Sequence, residues 1–276
     1  MLREARDGGI TRLTLARSVR GRPLYTVTVY VLGDTLVDSG PPATARELLA
    51  WSRDRGIRRV VHTHHHEDHV GGSALLAREL GVEVFAPEPT VGFLHRPYAI
   101  PPYRRLVWGQ PRPCLSARPL PERLELDGAR LVPLQTPGHS HDHVAYWMPD
   151  RDWLLSGDLY VAPRVVYLRQ VENAWLHLDS LRRVRALAPA RLLCAHAGPV
   201  EDGAAALEGR IGHWERLAAA ARELHRDGAP VGAIRRQLLG AEGPMTWLSL
   251  GDFSKRNLVA SLLFHTAAAA PPRPLP

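Results

Sequence analysis

Residues 62–69, His-Thr-His-His-His-Glu-Asp-His, place five histidines and two carboxylates within eight positions, directly after an apolar segment. Neutral imidazoles and carboxylates are the usual ligands of zinc and related divalent ions, so this density reads as a metal site. Arg58-Arg59-Val60-Val61-His62-Thr63 looks like a strand running out of a core, while Gly71-Gly72 and Ala74, Leu75, Leu76 and Leu80 predict a loop turning into a helix. The histidines therefore sit on a strand-to-helix loop. Alternation at the strand end points His64 and His66 to one side, and the following turn can carry Asp68 and His69 to a second ion beside the first. His62 alternates with them too, so several registers are open. The plain alternative is a surface His-rich tract that binds metal adventitiously.

The adjacent pair Asp68-His69 completes the string His64-x-His66-x-Asp68-His69, followed by Val-Gly-Gly. Here the chain resembles the metallo-β-lactamase superfamily, whose hallmark is H-x-H-x-D-H. Four further segments follow the family pattern in order. Leu36-Val37-Asp38-Ser39-Gly40 resembles its D-[ST]-G turn, Thr136-Pro137-Gly138-His139 its T-P-G-H turn, Ser156-Gly157-Asp158 its G-D segment, and Cys194-Ala195-His196 the position of its last histidine. The resemblance implies His64, His66 and His139 at one ion, Asp68, His69 and His196 at a second, Asp158 bridging both, and Asp38 supporting the ligands from behind. Paired ions about 3.5 to 4 Å apart can share a hydroxide that attacks a carbonyl or phosphorus. Asp68 is read either as a plain ligand or as the catalytic group that orients this hydroxide and accepts a proton. His62 is expected to point into the layer beneath the ions and His65 to face solvent or the cleft rim, with Asp142-His143 tying down the turn after His139. His95, His177, His213, His225 and His265 read as ordinary.

Within the superfamily, Asp158 stands where the best-known zinc β-lactamases carry cysteine. Only 38 residues separate Asp158 from His196, too few for the inserted domain of the β-CASP nucleases, and a flavodiiron protein would need Glu in place of His66. What remains is the glyoxalase II-like and lactonase-like group. The expected activity is a hydrolase with two divalent ions, zinc first and Fe or Mn as alternatives, that acts on a small ester, thioester or lactone. Alternatives are a mononuclear iron persulfide dioxygenase, a metal-dependent phosphodiesterase or nuclease, and a non-catalytic metal scaffold. Tyr160 is a candidate substrate contact, and Arg164 or Arg169 a candidate partner for an anionic substrate group.

At 276 residues and 45% hydrophobic content, the chain can bury the core of one enzyme-sized unit. No apolar run approaches the roughly 20 residues that cross a bilayer, and the first residues, Met-Leu-Arg-Glu-Ala-Arg-Asp, lack the apolar stretch of a signal peptide. With only Cys114 and Cys194, no disulfide and a cytoplasmic location are expected. The net charge of +7 invites nucleic acid as a partner, but 34 of the 35 basic residues are arginine, spread along the chain. That pattern reads as compositional bias, so the expected partner is a small-molecule substrate, not nucleic acid or a membrane.

Strands are predicted over 11–17 and 23–38, a helix over 43–54, a helix over 72–80 and a strand over 82–85. The second half repeats the pattern with strands near 130–135, 143–148 and 152–156, a helix over 175–187 and a strand over 191–195. Runs of strands with helices between fit two sheets packed face to face. The resemblance adds the specific α/β architecture, an αββα sandwich over residues 1–200 with metals at one sheet edge. Residues 86–121 carry nine prolines and several aromatics; they are expected to be irregular and packed, as a lid or wall of the cleft, with a homodimer contact as the alternative. Leu207, Ile211, Trp214, Leu217, Ala221 and Leu224 predict amphipathic C-terminal helices over 201–268 that pack on this unit, and 269–276 reads as a frayed tail.

Overall fold

The computed structural model describes residues 1–126 and 129–266, so the expected tail lies outside the described residues. The first sheet has the strand order β1 (Leu2–Asp7), β2 (Ile10–Leu15), β5 (Val27–Leu32), β6 (Thr35–Val37), β7 (Arg59–Val61), β8 (Glu83–Ala86) and β9 (Arg118–Pro119). A small ribbon of β3 (Ser18–Val19) and β4 (Arg22–Pro23) interrupts it. Pairs from β1 to β6 are antiparallel, and those from β6 to β9 are parallel. Parallel neighbours require crossovers. Helix α1 (Ala45–Ser52) provides the first, α2 (Glu67–Val70) and α3 (Ser73–Leu80) the second, and α4 (Glu88–His95) and α5 (Pro102–Val107) the third.

The second sheet runs β10 (Leu124–Leu126), β11 (Ala129–Gln135), β12 (Val144–Met148), β13 (Trp153–Gly157), β15 (Arg191–Cys194) and β16 (Gly198–Glu201). Only β13 and β15 pair in parallel, across helix α6 (Ala174–Arg185). Helices α7 (Gly203–Arg226), α8 (Val231–Leu239), α9 (Pro244–Leu248) and α10 (Lys255–Phe264) complete the chain, and the short strands β14 (Leu168–Arg169) and β17 (Phe253–Ser254) tie this end to the sandwich.

Strand period explains the layering. In β5, Val27, Val29 and Val31 face one core with Leu48, Leu76 and Leu94 from the outer helices, whereas Tyr30 and Leu32 face the intersheet core with Tyr146, Leu155 and Leu193. A third core joins Leu154 and Leu192 on the far side of the second sheet to Leu178, Leu207 and Leu258. The αββα sandwich implied by the resemblance is the observed fold. All six residues of β5 are buried, because helices cover one face and the second sheet the other.

Residues 86–121 are also more ordered than expected, for they hold α4, α5 and β9. Pro89 and Pro102 stand in the first turns of the two helices, where a missing N–H costs nothing, so prolines read as breakers act here as starts. Cys114 and Cys194 are free and buried. No helix among the described residues is long and apolar enough to cross a membrane.

Candidate metal centre and cleft

Four loops at one edge of the two sheets converge. β7 ends at Val61, and the five residues 62–66 lead into α2, with His66 at its N-cap. The other loops bring one residue each: His139 after β11, Asp158 after β13 and His196 after β15. Two of these turns need glycine. Gly138 has φ +137°, and a Cβ there would lie 2.3 Å from the His177 backbone nitrogen; Gly157 has φ +49°, and a Cβ would lie 2.7 Å from His143 Nε2.

The ligand candidates form two clusters, His64 with His66, His139 and Asp158, and Asp68 with His69 and His196. In the first, His66 Nδ1 lies 2.8 Å from His64 Nε2 and 2.9 Å from His139 Nε2, and His139 Nε2 lies 3.2 Å from an Asp158 oxygen. In the second, His69 Nε2 and His196 Nε2 each lie 3.3 Å from the other Asp158 oxygen, and Asp68 is 3.5 Å from His196 and 3.7 Å from His69. One carboxylate thus places an oxygen in each cluster.

Ring tautomers follow from the hydrogen bonds behind the site. Asp38 accepts from Thr63 N at 2.9 Å and from His69 Nδ1 at 2.7 Å, which leaves the His69 Nε2 lone pair facing the second cluster. Thr63 Oγ1 donates to Asp38 and accepts from His64 Nδ1 at 3.0 Å, with the same consequence for His64. His196 Nδ1 donates to the Thr26 carbonyl at 2.9 Å.

These groups fit metal ions. Imidazole nitrogens converge within each cluster, and among the described residues His69 Nε2 and Asp158 Oδ1 are buried without a hydrogen-bond partner. Charge agrees. Burial keeps His64 and His66 neutral, well below the ordinary histidine range. Burial opposes charge on His69 and His196 as well, but Asp158 and Asp68 override it, with Asp38 adding to the effect at His69; His69 is held well above its ordinary value and His196 is raised to about 9. The second cluster therefore demands positive charge, which a divalent cation provides. At Asp38 burial is again outweighed, by His69 and His62, and the carboxyl sits well below the usual range.

The neighbouring histidines divide by role. His62 is buried beneath the site and bonds Ser73 Oγ at 2.6 Å. His143 links Thr136 Oγ1 at 2.7 Å to the Asp158 backbone N–H at 3.1 Å, so it does tie down a turn. His65 is half-buried, bonded to Asp142 at 2.9 Å and Tyr98 at 3.1 Å. Two substrate-contact readings are corrected. Tyr160 packs its ring into the third core, and Arg164 stands exposed outside the cleft. Arg169 is the arginine that reaches the site, with Nη1 2.8 Å from His66 Nε2.

A cleft of about 620 Å³ opens beside both clusters, a size suited to a metabolite. Val107, Trp108, Val165, Leu168, Leu248 and Phe253 give it apolar walls. Three groups along it escaped sequence reasoning. Arg104 on α5 makes a bidentate pair with Glu67, at 2.7 and 2.6 Å, beside Asp68. Glu172 approaches His139 Nδ1 at 3.4 Å. Arg210 on α7 occupies the helix face already marked by Leu207 and Ile211, and that i, i+3 spacing was its available signal.

The metallo-β-lactamase superfamily profile matches residues 22–196, which include every ligand candidate. The chain belongs to the metallo-β-lactamase superfamily. It is 32% identical over 213 residues to a hydroxyacylglutathione hydrolase from Methylococcus capsulatus, covering 72% of this chain and 74% of that protein. A second hydroxyacylglutathione hydrolase, from Rhodospirillum rubrum, is 30% identical over 158 residues, 56% of this chain and 53% of that protein. Against that relative the chain spans about half the length. A metallo-β-lactamase family protein from Thermus thermophilus superposes with a TM-score of 0.65 at 24% identity, over 92% of this chain and 90% of that one. A β-lactamase domain protein from Burkholderia ambifaria gives 0.68 at 19%, over 94% and 88%. At these identities the superpositions speak for the fold, and they extend beyond the sandwich into the helices after His196.

Proposed function

We propose that this superfamily member is a metal-dependent hydrolase that opens a small ester, thioester or lactone with two divalent ions, zinc being the ion best suited to mixed His and Asp donors. The observation that carries the reading is Asp158, whose two oxygens lie in two different ligand clusters. Ions held there supply Lewis acidity toward a carbonyl and a nucleophile from water at neutral pH. The protein's own groups do the rest. Asp38, Thr63 and the Thr26 carbonyl fix the imidazoles in their tautomers, Asp68 is placed to take a proton at its carboxylate, and the apolar walls keep bulk water from the reacting bond. The hydroxyacylglutathione hydrolases among the relatives support putting thioesters first.

Metal-loaded protein assayed against thioesters, lactones and phosphodiesters tests this reading. Turnover of a thioester or lactone, lost in Asp68→Ala, is expected. Activity confined to phosphodiesters overturns the proposal, as does one iron per chain with thiol-dependent oxygen uptake.

A further inference from the structure

Arg210 is the group in the cleft that the metal chemistry leaves unexplained. Its guanidinium carbon lies 3.6 Å from the centre of the Trp214 ring, and Trp214 is itself fixed by a 2.9 Å bond from Nε1 to the Val165 carbonyl. Only 1% of Arg210 is exposed. Among the described residues Nη1 has no hydrogen-bond partner, and Glu172 attracts the guanidinium from a distance without forming an ion pair. A second buried orphan lies against the same indole. His177 Nε2 donates to the Leu159 carbonyl at 2.6 Å, so Nδ1 holds the lone pair, and it too has no partner; the ring meets Trp214 edge-on at 5.2 Å. Both residues line the cleft that contains His139 and Asp158.

A buried charge persists where something pairs with it. Stacking on Trp214 covers one face of the guanidinium and leaves its in-plane N–H groups, the fork that fits a carboxylate or phosphate bidentately. We infer that Arg210 anchors an oxyanion group on the substrate: the ligand is an acyl compound with a carboxylate or phosphate at the end remote from the reacting bond and an apolar stretch between. The inference deepens the hydrolase reading and rests on it for the position of the reacting bond; the anchor is testable without turnover.

The test uses the full metal-loaded chain, with hexanoate and hexyl phosphate as probes and hexanol as the uncharged control, read by calorimetry and thermal shift. One of the two anions binds saturably and raises Tm, hexanol does not, and which anion binds identifies the oxyanion. Arg210→Met weakens that binding about 10- to 100-fold, the range of a charge-assisted hydrogen bond, and raises the Tm of the unliganded protein because an unpaired buried charge is gone. Arg210→Lys, which keeps the charge but not the fork, binds with intermediate strength. Unchanged anion affinity in Arg210→Met overturns the inference, since the ions then hold the probe. So does an Arg210→Met protein that fails to fold while Arg210→Lys is as stable as wild type, which makes the charge structural. Arg210-dependent binding in a protein that hydrolyses no thioester or lactone supports the anchor while removing the proposed function.

Discussion

Arg104 and Arg210 face one cleft from different walls, and their surroundings differ in kind. Arg104, on the crossover between β8 and β9, is buried against Glu67 in a two-bond ion pair, beside the loop that carries four ligand candidates. Arg210, on the long helix after the sandwich, is buried against an indole with no carboxylate among the described residues in contact. A charge whose partner is built into the chain serves the architecture. One whose partner is absent from the described residues points to something that arrives. Arg104 thus has a carboxylate partner within the chain, with its Nη1 left over, while Arg210 has none among the described residues.

The largest contrast comes from removing each cation. Arg104→Met strands the Glu67 carboxylate, for which burial and Asp68 already raise the pKa against the pull of Arg104, and it should cost about 3–5 kcal/mol by denaturant titration. The double variant Arg104→Met with Glu67→Leu should recover most of that loss. Equal destabilisation by Arg104→Met and Arg210→Met would erase the difference between the walls. A smaller effect is expected behind the ligands: Asp38→Asn, which loosens the grip on His69, should weaken metal affinity about 10- to 100-fold with little change in fold, measured by competition with a chelator. An unchanged affinity would show that the His69 orientation is set elsewhere.

The smallest effect is a pH slope. Burial lowers His143 to about 3 and His177 well below its ordinary value, so both stay neutral in the fold while the unfolded chain takes up protons below pH 6.5. Their contribution is complete above that pH and declines as pH falls toward the folded values, by up to about 1.4 kcal/mol per pH unit for each histidine. His177→Gln should therefore show a shallower loss of stability between pH 6.5 and 5 than wild type. Equal slopes would mean that His177 is not held neutral.

The same contrast separates what the sequence discloses from what it hides. His64, His66, Asp68 and His69 are neighbours on one loop, so their clustering is a local signal, whereas His139, Asp158 and His196 are joined to them in the sequence only by the resemblance to the family's motifs. Runs of strands with helices between made two packed sheets legible, and the resemblance supplied the specific αββα sandwich. The cleft wall is not local. Glu67 and Arg104 are 37 residues apart, and nothing in either stretch pairs them before the chain folds. Tyr160 illustrates the converse error: adjacency to Asp158 suggested a substrate contact, yet the turn after Gly157 sends its ring into the core. Arg210 was visible on the apolar stripe of its helix, but only as one arginine among 34.

The central claim is that Asp158 joins two metal sites, and metal content measures it most directly. Protein reconstituted with zinc, dialysed free of excess and measured by mass spectrometry should hold two ions per chain, falling below one in Asp158→Ala and to about one in His196→Ala. One ion per chain in wild type, unchanged by His196→Ala, would contradict the account.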